Sequence, residues 1–138
     1  MIVALLDAGP MIALFDSTDP FHAHFRRLLT QQPELPMRLH TTWPCVTEAS
    51  HLLGARERFG LLRWIGSGSV QVFPFDTEDL ADMTEWMMRY TDTRSEMDLA
   101  DATLYWVAHE TGVSRILTLD VRDFSRYRLP DGRAFEIL

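Results

Sequence analysis

Lysine is absent from this chain of 138 residues, and all thirteen basic side chains belong to arginine. A nucleotide-binding loop of the P-loop type needs a lysine directly after its glycines, so the stretch GSGS at 66–69 is interpreted as a flexible turn. Arginine suits bidentate contacts with phosphate, but genomic base composition explains the missing lysine more simply. The arginines therefore do not by themselves indicate a phosphate ligand.

Cysteine and long apolar segments are also scarce. Cys45 is the only cysteine, so no disulfide can form within the chain, and the sequence is compatible with a reducing cytosol. No apolar run reaches the roughly 18–20 residues that span a bilayer. The apolar start at 1–6 meets Asp7 too early to be a secretion signal, and it lacks a basic flank. We expect a single cytoplasmic domain over residues 1–138 that does not enter a membrane.

Acidic residues dominate the charged side chains, with 20 aspartates and glutamates and a formal net charge of −7. This balance alone argues against a nucleic-acid partner, because neutralising phosphates normally requires a basic surface. A negative net charge does not exclude a nucleic-acid partner if several carboxylates surround divalent cations, because the ions then cancel part of the negative field.

The order of sequence patterns predicts an α/β fold. Short apolar runs typical of buried strands lie at 2–6, 39–42, 70–75, 115–119 and 135–138. Helical patterns lie between them and begin at Pro20, Pro44, Ala55, Thr77 and Asp98. Strands that alternate with helices favour a mainly parallel sheet flanked by helices, with right-handed crossovers.

Two aspartates stand directly after predicted strands. Asp7 follows the run IVALL, and Asp120 follows RILTL. Ligand sites in parallel sheets lie at the carboxyl ends of the strands, so the fold should bring both side chains to one edge. Either aspartate could instead cap the helix that follows it. Asp76 also follows a strand, but an evident helix begins at Thr77, and we interpret Asp76 as a cap only.

Three further acids lie near predicted helix starts. Glu48 is one turn into its helix, where glutamates commonly interact with the helix dipole. Asp98 and Asp101 are three residues apart and share one helix face, at about 5–6 Å between Cβ atoms, where like charges repel. The alanines on either side of Asp101 favour a helix packed closely against its neighbours over a solvated helix end.

Convergence of these acids would create a strongly negative pocket. Two carboxylates about 4 Å apart repel by roughly 4 kcal/mol at an effective dielectric of about 20. The protein must then protonate some of them or bind a cation. Oxygen ligands select hard ions, so we expect Mg²⁺ or Mn²⁺, which can activate water and orient a phosphodiester. The candidate ligands are Asp7, Glu48, Asp101 and Asp120.

Four fragments carry these acids in a specific order and spacing, although each fragment alone is weak. They are LLDAGPMIALFDSTDPFHAHF at 5–25, TTWPCVTEASHLL at 41–53, MDLADATLYWVAHETG at 97–112 and ILTLDVRDFSRYR at 116–128. Through them the chain resembles the PIN-domain nucleases, in particular the VapC-type toxins of bacterial toxin–antitoxin pairs. The resemblance covers nearly the whole chain.

The resemblance implies a three-layer sandwich with a mainly parallel central sheet, RNA endonuclease activity, a homodimer and a VapB-like antitoxin that inserts into the active-site groove. It implies that the metal-binding catalytic acids are Asp7, Glu48, Asp101 and Asp120, with Asp98 and Asp123 as accessory carboxylates. One departure is visible, because many members carry serine or threonine directly after the first aspartate and this chain has Ala8. The site therefore lacks one hydroxyl that could hold the carboxylate or the ion.

Arginines near the predicted site are candidates for binding the substrate. Arg122 and Arg126 are closest in sequence to Asp120, and we expect them to steer the phosphates of RNA. The four tryptophans are interpreted as core or dimer anchors rather than as stacking platforms for RNA bases. A second group is interpreted as core or as part of a dimer seam and consists of Phe59, Leu62 and Ile65.

Other functions fit the sequence less well. The five histidines and one cysteine do not have the spacing of a zinc site. Receiver domains and aspartate-nucleophile phosphatases also place acids at strand ends, but they use a lysine near the phosphate. A catalytically degenerate domain that only sequesters RNA or a protein partner remains the alternative. It is disfavoured because all four predicted metal ligands are present.

Overall fold

Five parallel strands form the central sheet of the computed structural model, which describes residues 1–30 and 36–138. The strands are β1 (Ile2–Leu6), β2 (Met37–Thr41), β3 (Val70–Val72), β4 (Arg115–Leu117) and β5 (Glu136–Ile137). The helices are α1 (Ala8–Phe15), α2 (His22–Thr30), α3 (Trp43–Leu52), α4 (Ala55–Gly66), α5 (Leu80–Arg89), α6 (Leu99–Thr111) and α7 (Val121–Arg126). A 3-10 turn, Thr77–Asp79, precedes α5. The predicted α/β class with a parallel sheet is confirmed.

The strand order β3-β2-β1-β4-β5 places the first strand at the centre. The chain proceeds outward in one direction through β2 and β3, and then returns to the other side of β1 as β4 and β5. In an open parallel sheet, such a reversal separates the loops that follow the two neighbouring strands and opens a crevice at their carboxyl ends. The crevice here lies beyond the ends of β1 and β4.

Helix α6 is buried along most of its length. Eight of its thirteen residues are buried, and alanines at 100, 102 and 108 allow its neighbours to approach closely. The carboxylate of Asp98 accepts a hydrogen bond from the backbone N–H of Asp101 at the start of the helix, at 2.9 Å. Gly112 ends it in the left-handed region at φ +77°, which glycine adopts without a Cβ clash. Nowhere in residues 1–30 and 36–138 does a helix combine the length and apolar character needed to cross a membrane.

The observed elements differ from the predicted ones in several places. Strand β3 ends at Val72 rather than at residue 75, because Pro74 has no N–H for the ladder. Strand β4 ends at Leu117, and the next residue, Thr118, uses its hydroxyl within the site. Helices α1 and α7 were not predicted as separate elements. Helix α1 is apolar along nearly its whole length, so its apolar residues show no helical periodicity. Helix α7 has only six residues.

Candidate metal centre

A cleft of about 380 Å³ opens at the carboxyl edge of the sheet, beyond β1 and β4. Five carboxylates line it, and they belong to Asp7, Glu48, Asp98, Asp101 and Asp120. Ala8, Gly9 and Leu119 complete the lining. The described residues that line the cleft include no basic side chain. The fold thus brings the four predicted catalytic acids, and one of the two accessory acids, to a single site.

Asp7 leaves the end of β1 and is held in place by two hydrogen bonds. Its Oδ1 accepts from the backbone N–H of Ala8 at 2.8 Å, which caps α1, and its Oδ2 accepts from the hydroxyl of Thr118 at 2.7 Å. Only 8% of the residue is exposed. Burial raises the pKa of this carboxyl against the opposing effect of the two hydrogen bonds. Asp7 is therefore both a helix cap and a lining residue of the cleft.

Thr118 connects two of the acids. Its hydroxyl donates to Asp7 and also accepts the backbone N–H of Asp120 at 2.9 Å. Thr118, the residue that follows β4, thereby supplies a hydroxyl to the first aspartate. Sequence analysis did not identify Thr118. The sequence signal that could have identified it is that Thr118 is the single polar residue in the otherwise apolar end of the run RILTL.

Asp101 lies in the first turn of α6, with 7% of its surface exposed. Its Oδ2 accepts a hydrogen bond from the buried hydroxyl of Tyr127 at 2.7 Å. Burial raises the pKa of the Asp101 carboxyl to about 8, and the charges of Asp98, Asp7 and Asp120 act in the same direction, against the Tyr127 hydrogen bond. Burial thus favours the neutral form of this side chain when no cation is bound.

Asp120 is the N-cap of α7, and Asp123 lies in the first turn of that helix. One carboxylate oxygen of each lies within 4.8 Å of the other and of a carboxylate oxygen of Asp101. The pKa of Asp120 is raised to about 6. Burial is the largest cause, and the neighbouring Asp123 carboxylate is the next largest. The three aspartates have the spacing of a group that can share a cation, although Asp123 does not line the cleft.

Glu48 reaches the cleft from the second turn of α3 and is the most exposed of the four predicted catalytic acids. Partial burial raises its pKa, and the charges of Asp7, Asp98 and Asp120 act in the same direction.

Asp76, interpreted as a cap, lies outside the cleft, and its backbone N–H donates to the carboxylate of Asp79 at 2.8 Å.

The two arginines proposed for the substrate lie outside the cleft lining. The Nε of Arg126 donates to Oδ1 of Asp123 at 3.0 Å, and its guanidinium lies over the ring of Tyr127, 5.0 Å from the centroid. Arg126 is thus engaged in holding Asp123. Arg122 is exposed, and its Nη2 lies 3.5 Å from the hydroxyl of Ser95. A role in steering phosphates stays a prediction for both.

The residues of the cleft fit a hard divalent cation. All the donors are carboxylate oxygens, which Mg²⁺ and Mn²⁺ prefer. The pKa values of Asp7, Glu48, Asp101 and Asp120 are all raised, because burying several carboxylates together disfavours their charged forms. A cation removes this penalty by replacing the protons, so metal binding should release protons from the site.

Tyr127→Phe tests whether the phenol orients Asp101. Groups that hydrogen-bond a metal ligand typically contribute 10- to 100-fold to metal affinity or activity, so we expect the dissociation constant for Mn²⁺ to rise by about tenfold. Isothermal titration calorimetry measures this. The matched control is Tyr90→Phe, which removes a phenol that donates to the carbonyl oxygen of Arg128 and touches no carboxylate. Equal Mn²⁺ affinity in both variants would exclude an orienting role for Tyr127.

No protein-family model and no curated protein sequence matches this chain. Solved structures do match. The Mycobacterium tuberculosis toxin VapC20, described as a sarcin-ricin loop cleaving toxin, superposes with a TM-score of 0.74 and 22% identity, covering 88% of this chain and 92% of the toxin. At this level of identity the likeness establishes the fold. The chain therefore has the PIN-like α/β fold of a VapC toxin, as the sequence resemblance implied.

Proposed function

We propose that the chain is an RNA endonuclease that depends on Mg²⁺ or Mn²⁺, of the VapC toxin type. The observation that carries this proposal is the convergence of carboxylates from β1, α3, α6 and the turn before α7 in one cleft. The fold supports it, because a toxin described as cleaving the sarcin-ricin loop is built in the same way.

The acids in the cleft have distinct parts in this proposal. The cation ligands are Asp7, Glu48, Asp101 and Asp120, with Asp98 and Asp123 as accessory carboxylates. A divalent cation bound there supplies charge stabilisation to a phosphodiester and lowers the pKa of water. The chain contributes the orientation of the ligands, since Thr118 holds Asp7 and Tyr127 holds Asp101. It also excludes solvent from two of them, because Asp7 and Asp101 are buried.

RNA, an antitoxin and a second copy of the chain are the proposed partners, and we place the protein in the cytoplasm. A dimer is supported by two large apolar side chains exposed on α4, Phe59 and Leu62. Ile65, which was grouped with them, is 8% exposed and belongs to the core. The core interpretation is correct for Trp86, whereas Trp43 is largely exposed.

Incubation of the pure protein with structured RNAs tests the proposed activity. We expect cleavage with Mg²⁺ or Mn²⁺ and none after a chelator is added, because no basic side chain among the described residues lines the cleft to stabilise a phosphate instead. The reaction is followed on a denaturing gel, with Asp101→Asn as the control for a contaminating nuclease. No cleavage of any RNA by folded, partner-free protein would favour a domain that only sequesters its partner, and cleavage that survives the chelator would contradict the proposed metal dependence.

A further inference from the structure

A second cleft, of about 740 Å³, lies directly beside the acidic one. Its lining is mainly apolar and includes Trp43, Pro44, Phe75 and Leu99, with Thr47 and His51 among the polar lining groups. Within the described residues, no arginine lines this cleft. Its volume is in the range of small-ligand sites, and its lining of aromatic side chains with a few polar groups is typical of them.

The two clefts are adjacent and share one lining residue. Glu48 lines both of them. At the start of α6, Asp98 lines the acidic cleft and the next residue, Leu99, lines the apolar one. A nucleotide whose phosphate lies at the acids therefore has an apolar surface beside it.

Trp43 is the first residue of α3, and 53% of it is exposed. A large aromatic side chain that is left open to solvent in a cleft is available to a ligand. Phe75, also in the lining, packs edge-on against Trp106, with ring centroids 6.3 Å apart. The apolar cleft thus combines an exposed indole with an aromatic ring that is already held by a neighbouring side chain.

Charge favours a base as the occupant. The formal net charge of the chain is −7, and the guanidinium of Arg126, which is close in sequence to Asp120, is committed to Asp123. Among the described residues no arginine lines either cleft, so direct arginine–phosphate contacts, which normally supply much of nucleic-acid affinity, contribute little within the clefts. Stacking of unpaired bases on aromatic side chains is the other main source of affinity for single-stranded RNA, and it requires no charge.

We propose that the apolar cleft binds an unpaired nucleobase of the RNA, stacked on Trp43, in the nucleotide next to the phosphodiester at the acids. Thr47 and His51 offer polar groups to the edge of that base. This inference rests on the proposed nuclease function and names the substrate class of the same site as single-stranded or splayed RNA.

Binding of a short, end-labelled single-stranded RNA, measured by fluorescence anisotropy in the non-cleaving Asp101→Asn background, tests the proposal. Trp43→Ala should raise the dissociation constant by about tenfold, and Trp43→Phe by much less, because phenylalanine still stacks. The matched control is Phe21→Ala, which removes another exposed aromatic side chain, 47% exposed, that lines neither cleft. Once the wild-type protein's cleavage position on this RNA has been mapped, an RNA with one abasic nucleotide beside that position should bind equally well to the background protein and to its Trp43→Ala variant.

Two results would overturn the proposal. One is an unchanged RNA affinity of Trp43→Ala, with circular dichroism confirming the fold. The other is a fall in molar mass of Trp43→Ala by light scattering without any change in RNA binding, which would assign the cleft to a second copy of the chain. Failure of the nuclease proposal is distinguishable, because metal-independent or absent cleavage by the wild-type protein would leave Trp43-dependent RNA binding intact.

Discussion

Replacing Asp101 with asparagine should reduce metal-dependent RNA cleavage by more than about a hundredfold, because residues that only support a metal ligand already contribute 10- to 100-fold. Asparagine keeps the size of the side chain and can still accept the hydrogen bond from Tyr127. The protein should therefore remain folded. It should also unfold at a temperature higher by about 5 °C in the absence of metal, because a buried carboxyl with a raised pKa is removed.

Asp76→Asn is the matched control for this variant. Asp76 also follows a strand, but it lies outside the acidic cleft, so its replacement should leave cleavage unchanged. Cleavage is measured as the initial rate on one RNA with saturating Mn²⁺, and unfolding by thermal denaturation. Full activity of Asp101→Asn would remove Asp101 from the mechanism, and a large loss in Asp76→Asn would show that the assay responds to stability.

The free energy of unfolding of the metal-free protein should fall by on the order of 3 kcal/mol as the pH rises from about 5 to about 8. Asp101 has a folded-state pKa of about 8, above its ordinary value of 3.8, so in this interval the folded protein holds a proton that the unfolded chain has released. Unfolding releases that proton, and stability declines until the pH exceeds the folded-state pKa. Asp120, with a pKa of about 6, adds to the decline at the lower end of the interval.

Urea denaturation at several pH values, with a chelator present, measures this decline. Asp101→Asn should remove most of it, since asparagine does not titrate. Saturating Mn²⁺ should reverse the trend, because the ion binds the deprotonated carboxylates and its stabilising effect grows with pH. A metal-free stability that is flat from about pH 5 to about pH 8 would contradict the burial of a protonated Asp101.

The sequence predicted the fold class because its strands are buried on both faces and its helices carry caps. The run IVALL before Asp7 and the cap–glycine pair of Asp98 and Gly112 were recognisable without the structure. Helix α1 was not recognisable, because AGPMIALF is buried on most sides and has no polar face that would reveal the helical spacing of its apolar residues. The end of β4 was predicted two residues too late, since an apolar run does not show where the hydrogen-bonded ladder stops.

The acidic cluster was predictable, whereas its supporting residues were not. Strand ends meet at one edge of a parallel sheet, so position in the sequence sufficed for Asp7 and Asp120. Thr118 and Tyr127 act through hydrogen bonds to residues 111 and 26 positions away, which no local pattern encodes. Trp43 was interpreted as a core or dimer residue by its type alone, and its exposure became visible only when α3 was placed.

The central claim is that distant carboxylates together bind a divalent cation, and Mn²⁺ soaked into crystals of the protein tests it most directly. We predict an anomalous difference peak in the acidic cleft, within coordination distance of Asp7, Asp101 and Asp120, about 2.0–2.2 Å from the carboxylate oxygens. An empty cleft at a saturating Mn²⁺ concentration, or a peak bound only elsewhere on the surface, would contradict the account.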